Sequence, residues 1–178
     1  MKQSPVLALV IMVVTAVSGC GYALAGRGSF LPADIRVVGI PPLENKTTTP
    51  RIEQIFTDKI RTEFIERGKY EIVRGSGGAD AVLSGAVTAI SYQPVGLTNQ
   101  QQASRYVFIV TMRVQFTDSR NGEVLWSNEA LTFREEYDLT RGNTQLEGSV
   151  LLEQEGPAVE RLATDLARNV VSAILEAF

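Results

Sequence analysis

Apolar and polar positions along this chain follow three patterns in turn: a continuous run, a helical stripe and a strict alternation. Val6 to Val17 is apolar except for Thr15. Farther on, Ile52, Ile55, Phe56, Ile60 and Phe64 recur at spacings of three and four, while Arg51, Glu53, Asp58, Arg61 and Glu66 fall elsewhere. That spacing predicts an amphipathic helix from about Pro50 to Arg67. Thr49 is its expected N-cap, Pro50 its first helical residue and Gly68 its C′ residue. The alternation is clearest at Tyr106, Phe108, Val110, Met112, Val114 and Phe116, with Arg113 and Gln115 on the opposite face. A strand with one buried face reads this way.

The remaining segments fit around these elements. Ile35–Ile40 predicts a short buried strand, stopped by Pro41 and Pro42, and a polar Thr-rich loop leads into the helix. Tyr70–Val73 predicts a second short strand, followed by a turn at Gly75–Gly78. Ala79–Tyr92 predicts a long strand, and Pro94–Ser104 a polar loop. Asp118–Gly122 supplies an Asn-Gly hairpin signal, and Glu123–Arg134 the returning strand. The stretch from Glu135 to Glu155 fits neither period clearly. Val159, Leu162, Ala163, Leu166, Val170, Ala173 and Ile174 then form a second helical stripe after Pro157. The order β-α-β-β-β-β-α predicts an α+β, two-layer sandwich. Its sheet is expected to be mainly antiparallel, with four to five strands and two amphipathic helices on one face.

The leading apolar run is about 12 residues long, whereas a helix needs roughly 20 to cross a bilayer. A positive start at Lys2, the apolar run and the small residues Ser18 and Gly19 are the layout of a secretory signal. Where cleavage belongs stands Cys20, the single cysteine of the chain. Val17-Ser18-Gly19-Cys20 resembles the bacterial lipobox. The resemblance implies cleavage before Cys20, S-diacylglycerol on its thiol and N-acylation of the new amine. An ordinary signal with a chance cysteine, or an uncleaved anchor, are the alternatives. On the lipobox reading residues 1–19 are the signal peptide, 20–34 a lipidated tether and 35–178 one domain. Tyr22, Leu24, Phe30 and Leu31 are tether residues expected to dock on that domain. Gly21, in place of an Asp, points by resemblance to enterobacterial sorting to the outer membrane.

Composition narrows the function. The chain carries 17 Lys+Arg against 20 Asp+Glu and no His. No basic stripe or cluster suggests a nucleic-acid partner. Without His, and with the one thiol lipidated, the usual general base, the commonest metal ligand and the nucleophilic triads are missing. The expectation is a protein that is no enzyme, holds no metal and needs no cofactor beyond its covalent lipid. Gly75-Ser76-Gly77-Gly78 lacks the Lys-Ser/Thr of a phosphate loop and is followed by a strand, so it reads as a turn. Asp118, Asn121 and Glu123 are too short an acidic loop for calcium. Glu135, Glu136 and Asp138 cluster carboxylates, but adjacent strand residues point to opposite faces. Arg105, Arg113, Arg134 and Arg141 lie on or beside the long strands. They serve either as solvated strand surface or as contacts to anionic headgroups, where guanidinium meets phosphate bidentately.

Three stretches carry a further resemblance: Cys20-Gly21-Tyr22-Ala23-Leu24-Ala25-Gly26; Leu31–Ile35 with Val38–Asn45; and Arg67–Tyr70 with Ala79–Gly85. Together they resemble the LptE family of outer-membrane lipopolysaccharide-assembly lipoproteins of Gram-negative bacteria. The resemblance implies a non-catalytic plug inside a β-barrel translocon that helps the barrel assemble and binds lipopolysaccharide. The four arginines then become candidate contacts to lipopolysaccharide phosphates. Pro41–Asn45, Ala79–Gly85 and Asp118–Ser127 are also similar to lipoproteins that activate peptidoglycan synthases or build secretion pores. Their tether is usually longer than the dozen residues here.

Overall fold

Alternation in the central strand sorts the whole sheet into two faces. In a computed structural model, which describes residues 31–67, 69–97, 103–138 and 156–178, Phe108, Val110, Met112, Val114 and Phe116 are all buried. The intervening Val107, Ile109, Thr111, Arg113, Gln115 and Thr117 are half-buried or exposed. The elements run β1 (Val37–Gly39), β2 (Glu44–Asn45), α1 (Ile52–Glu66), β3 (Glu71–Val73), β4 (Ala81–Leu97), β5 (Ala103–Asp118), β6 (Val124–Asp138) and α2 (Gly156–Leu175). The described strands form one open, six-stranded mixed sheet in the order β3-β1-β4-β5-β6, with β2 added beside β4. β1 pairs in parallel with β3 and β4, and β2 in parallel with β4. β4, β5 and β6 are antiparallel neighbours. The α+β, two-layer architecture expected from the periodicities is the one observed.

Both helical stripes bury against that inner face. Ile52, Phe56, Ile60 and Phe64 of α1 and Leu162, Leu166, Val170 and Ile174 of α2 share one core with the inward positions of β4 and β5. Full burial of such side chains is worth roughly 1.5–3 kcal/mol each before the ordering entropy is subtracted. The helices run parallel. Lys59 Nζ in the middle of α1 meets Glu160 Oε2 near the start of α2 at 2.6 Å, and the Arg67 guanidinium donates to Ser172 Oγ at 2.9 Å near the ends of both. Parallel β1 and β3 require this crossover, so both helices finish at the end of the sheet where β1 and β3 begin.

Four expectations need correction. The sheet has six strands because β2 is only two residues long, too short to show a period. It exists through backbone pairing alone, Glu44 with Ala86 and Asn45 with Val87. The expected loop at Pro94–Ser104 shrinks, since β4 runs on to Leu97 and β5 starts at Ala103. Pro94 is tolerated because β2 last touches β4 at Val87, so this part of β4 is an edge strand among the described residues. β6 likewise extends through Asp138, into the stretch that fitted neither period. Finally, Arg51, not Thr49, is the N-cap of α1, with φ 65° and no side-chain cap. Thr49 is occupied elsewhere: its N–H donates to Thr47 Oγ1 and its carbonyl accepts from Asn45 Nδ2 at 2.7 Å. Asn45 Nδ2 also reaches Glu53 Oε2 at 2.8 Å, so it ties the loop to the first helical turn. The expected C′ residue Gly68 lies outside the described residues.

A polar network closes the end of the sheet where β1 and β4 start. Asp80 Oδ2 accepts the backbone N–H groups of Arg36 and Val37, both at 2.9 Å. These bonds, Val37 first, hold its carboxyl below the usual range. The Arg120 guanidinium bridges Asp118 and Asp34, reaching Asp34 Oδ2 at 2.5 Å. The guanidinium bond, then the Arg120 backbone N–H, bring Asp118 from its ordinary 3.8 down to about 2. A carboxyl depressed in the fold binds fewer protons than the unfolded chain between those values. Its stabilisation is therefore complete above about pH 4 and is lost as pH falls toward 2. Acid unfolding of Asp118→Asn should accordingly show a shallower loss of stability from pH 4 to pH 2 than the unsubstituted chain. Equal slopes in a pH series of thermal melts would show that this bridge is not linked to folding.

Candidate functional site

Strand parity decides where the arginines point. Arg105 and Arg113 occupy odd positions of β5, opposite in face to buried Phe108 and Met112, and so project away from the helices. Arg134 pairs across with Ile109, another odd position, so it shares that outward face. Reaching this register takes a bulge: Met112 faces Leu131 but Val114 faces Asn128, leaving Arg113 opposite both Glu129 and Ala130. A second irregularity, at Thr88 of β4, keeps Ile90 and Tyr92 inward and Ser91 and Gln93 outward. The helix-free face is therefore carpeted by Ser84, Ala89, Ser91, Gln93, Thr111, Gln115, Ser127 and Thr132, with Val107 and Ile109 half-covered among them.

Three of the four predicted arginines are thus brought to one surface, and Arg141 lies outside the described residues. They form a row, not a pocket. At about 3.3 Å per residue, the eight residues from Arg105 to Arg113 span about 26 Å, with Arg134 roughly midway. Arg105 Nη1 lies 3.7 Å from Glu136 Oε2 and Arg113 Nε lies 4.0 Å from Glu129 Oε2. All four side chains are well exposed, so each pair is weak, about 0–1 kcal/mol. Arg134 has no ion pair among the described residues. Glu129, which the sequence did not flag, and Glu136, flagged only within the acidic cluster, therefore modulate the row. Outward strand parity was the available signal, but the bulge hid it for Glu129.

The acidic cluster separates as its alternation requires. Glu136 faces outward beside Arg105, whereas Glu135 faces inward and accepts from Arg161 Nε of α2 at 2.8 Å. Gly75–Gly78 is a turn between β3 and β4, and Gly78 has φ +77°. Asp118–Glu123 closes the β5–β6 hairpin: the N–H of Asp118 donates to the Glu123 carbonyl at 2.9 Å, and Gly122 has φ +74°. Among the described residues no group of three or more His, Cys, Asp or Glu side chains is placed to hold a metal. No helix among them is long and apolar enough to cross a membrane. Cys20 lies outside the described residues. Leu31, a tether residue expected to dock, is buried and donates its N–H to Tyr70 Oη at 3.1 Å.

The family model described as Lipopolysaccharide-assembly, LptE, matches residues 35–174. This chain belongs to the LptE family. The match takes in every strand and nearly all of α2, including the whole arginine-bearing face. Solved structures show the same LptE-like fold in distant proteins. XCC0632 from Xanthomonas campestris superposes with a TM-score of 0.56 at 14% identity, over 85% of this chain and 91% of that one. The hypothetical protein CT253 from Chlamydia trachomatis gives 0.54 at 12% identity, over 79% and 96%. A PelC dodecamer from Paraburkholderia phytofirmans gives 0.50 at 20% identity, over 85% and 94%. No curated protein matches the sequence. Membership makes the LptE-family chain one of a group of lipopolysaccharide-assembly lipoproteins.

Proposed function

We propose that this chain is an outer-membrane lipoprotein, anchored through lipid on Cys20, that plugs and helps assemble the β-barrel lipopolysaccharide translocon and binds lipopolysaccharide on its way to the cell surface. The family match over residues 35–174 carries this reading. The open sheet supports it. One face is sealed by helices, and the other offers a flat carpet of hydroxyl, amide and small side chains. Such a surface suits the polar interior of a barrel large enough to enclose a folded domain. On that face Arg134 is the arginine best disposed to meet a phosphate, because it has no described ion-pair partner to give up. Arg105 and Arg113 must first exchange a glutamate for the ligand.

Two measurements test the proposal. Detergent extracts should yield the protein together with a large β-barrel; recovery with a peptidoglycan synthase and no barrel would favour the rival lipoprotein class. Lipopolysaccharide retention should fall about tenfold on Arg134→Glu, the scale of one charge-assisted contact at ~1.4 kcal/mol. Arg105→Glu and Arg113→Glu should fall less, and added salt should weaken the unsubstituted protein too. Retention that ignores both salt and Arg134→Glu would remove this face from the binding surface.

A further inference from the structure

We propose that the outer edge of β6 pairs with the same edge of a second copy, antiparallel about a two-fold axis at Glu135, and so joins two sheets into one. The inference goes beyond the barrel reading and concerns the chain apart from any barrel. It starts from the unequal treatment of the sheet's edges. β6 ends the sheet order and bonds to β5 alone among the described strands. A long regular edge invites another strand unless brevity, proline, a bulge or charge blunts it. β3, at the other end, has three residues. The stretch of β4 beyond its pairing with β2 carries Pro94, with register shifts at Pro94–Gly96 and Gly96–Leu97. β6 has its bulge at Glu129–Ala130, but Leu131–Asp138 beyond it is regular and holds no Pro, Gly or Lys.

The charges of that stretch are self-complementary. Antiparallel pairing centred on Glu135 puts Arg134 of each copy opposite Glu136 of the other, and directly opposed residues share one face of a sheet. Both point outward. Arg134 has no ion pair among the described residues, and Glu136 holds Arg105 only at 3.7 Å. Two symmetric ion pairs therefore form with nothing strong to break. Glu135 meets its own copy across the axis on the inward face, where two bare carboxylates would repel. Each already accepts from Arg161 Nε at 2.8 Å, so the axis gathers two carboxylates and two guanidiniums with no net charge. Centring the pair on Arg134 or Glu136 instead would set like charges against each other, which fixes the register. On the helix side Leu131 and Phe133 are half-buried, so the helices leave this edge partly open to a neighbouring sheet.

The test uses the full chain in detergent, free of barrel and lipopolysaccharide, followed through a dilution series by native mass spectrometry. A dimer is expected. Arg134→Glu turns both ion pairs into repulsions and should weaken the dimer about tenfold or more. Arg134→Glu combined with Glu136→Arg restores opposed charges and should return the dimer to near its unsubstituted strength. Glu135→Cys should link two copies under mild oxidation, read as a 135–135 disulfide by peptide mass mapping, because the two positions face each other on the axis. A monomer at every concentration overturns the proposal, including the case in which the chain's own residues 139–155 occupy the edge. A dimer that ignores the charge swap and gives no 135–135 linkage overturns it as well and places the contact elsewhere. Glu135→Cys that links only to a barrel strand in membrane extracts overturns self-pairing and gives the edge to the barrel. The dimer readouts are taken without lipopolysaccharide, so their failure leaves the proposed function standing.

Discussion

Gly85→Ala is expected to destabilise the domain by about 3 kcal/mol, the upper range for overpacking a close-packed site. Gly85 lies near the start of β4, just before the residues that pair with β2, and is itself paired with Val114 of β5. A Cβ there would stand 2.4 Å from the Arg113 carbonyl oxygen, 3.2 Å from Leu43 Cδ2 and 3.3 Å from Val114 Cα. Two of these three neighbours are backbone, which yields only by breaking the β4–β5 ladder. Leu43 is itself buried on the chain leading into β2 and cannot swing into solvent. For a domain of this size, about 3 kcal/mol corresponds to a drop of roughly 10 °C in Tm. Gly77→Ala is the matched control, because a Cβ at Gly77 meets nothing within 4 Å. Thermal melts in which both substitutions cost the same would show that β4 relaxes freely around residue 85.

Cys20→Ala should abolish membrane attachment outright. One acyl chain gives only marginal, reversible binding, whereas two or more hold a protein stably at about 0.8 kcal/mol per buried methylene. No described helix is long and apolar enough to span a bilayer. Fractionation should therefore move the variant from the membrane to the soluble pool, with no S-diacylglycerol mass on the polypeptide. A variant that still sediments with membranes would show that another element carries the attachment.

Much of the fold was legible because its strong elements are long enough to display a period. The stripe Ile52–Phe64 and the alternation Tyr106–Phe116 each repeat several times, and both bury the residues they nominate except Ile55 and Tyr106, which are half-buried against the core. Short or irregular elements were not legible. β2 has two residues and no period, and β4 continues through Pro94 because an edge position forgives a missing N–H. Thr49 had the composition of an N-cap, yet Asn45 claimed its carbonyl from four residues away. At the candidate site, outward parity could be read for Arg105 and Arg113 on their own strand. Arg134 could not be assigned a face without the register of β5 against β6, and a bulge at Glu129–Ala130 shifts that register by one residue.

By itself, then, the sequence determined the pieces whose cause is local. These are the two amphipathic helices, the buried face of β5 and the hairpin at Asn121-Gly122. Tertiary structure decided everything that depends on which strand lies beside which: the parallel seating of β1, β2 and β3, and the gathering of Arg105, Arg113 and Arg134 on the helix-free face. The physical reason is that periodicity records whether a residue faces core or solvent. Register, crossover direction and end-to-end placement are fixed by backbone pairing and by packing between residues far apart in the chain.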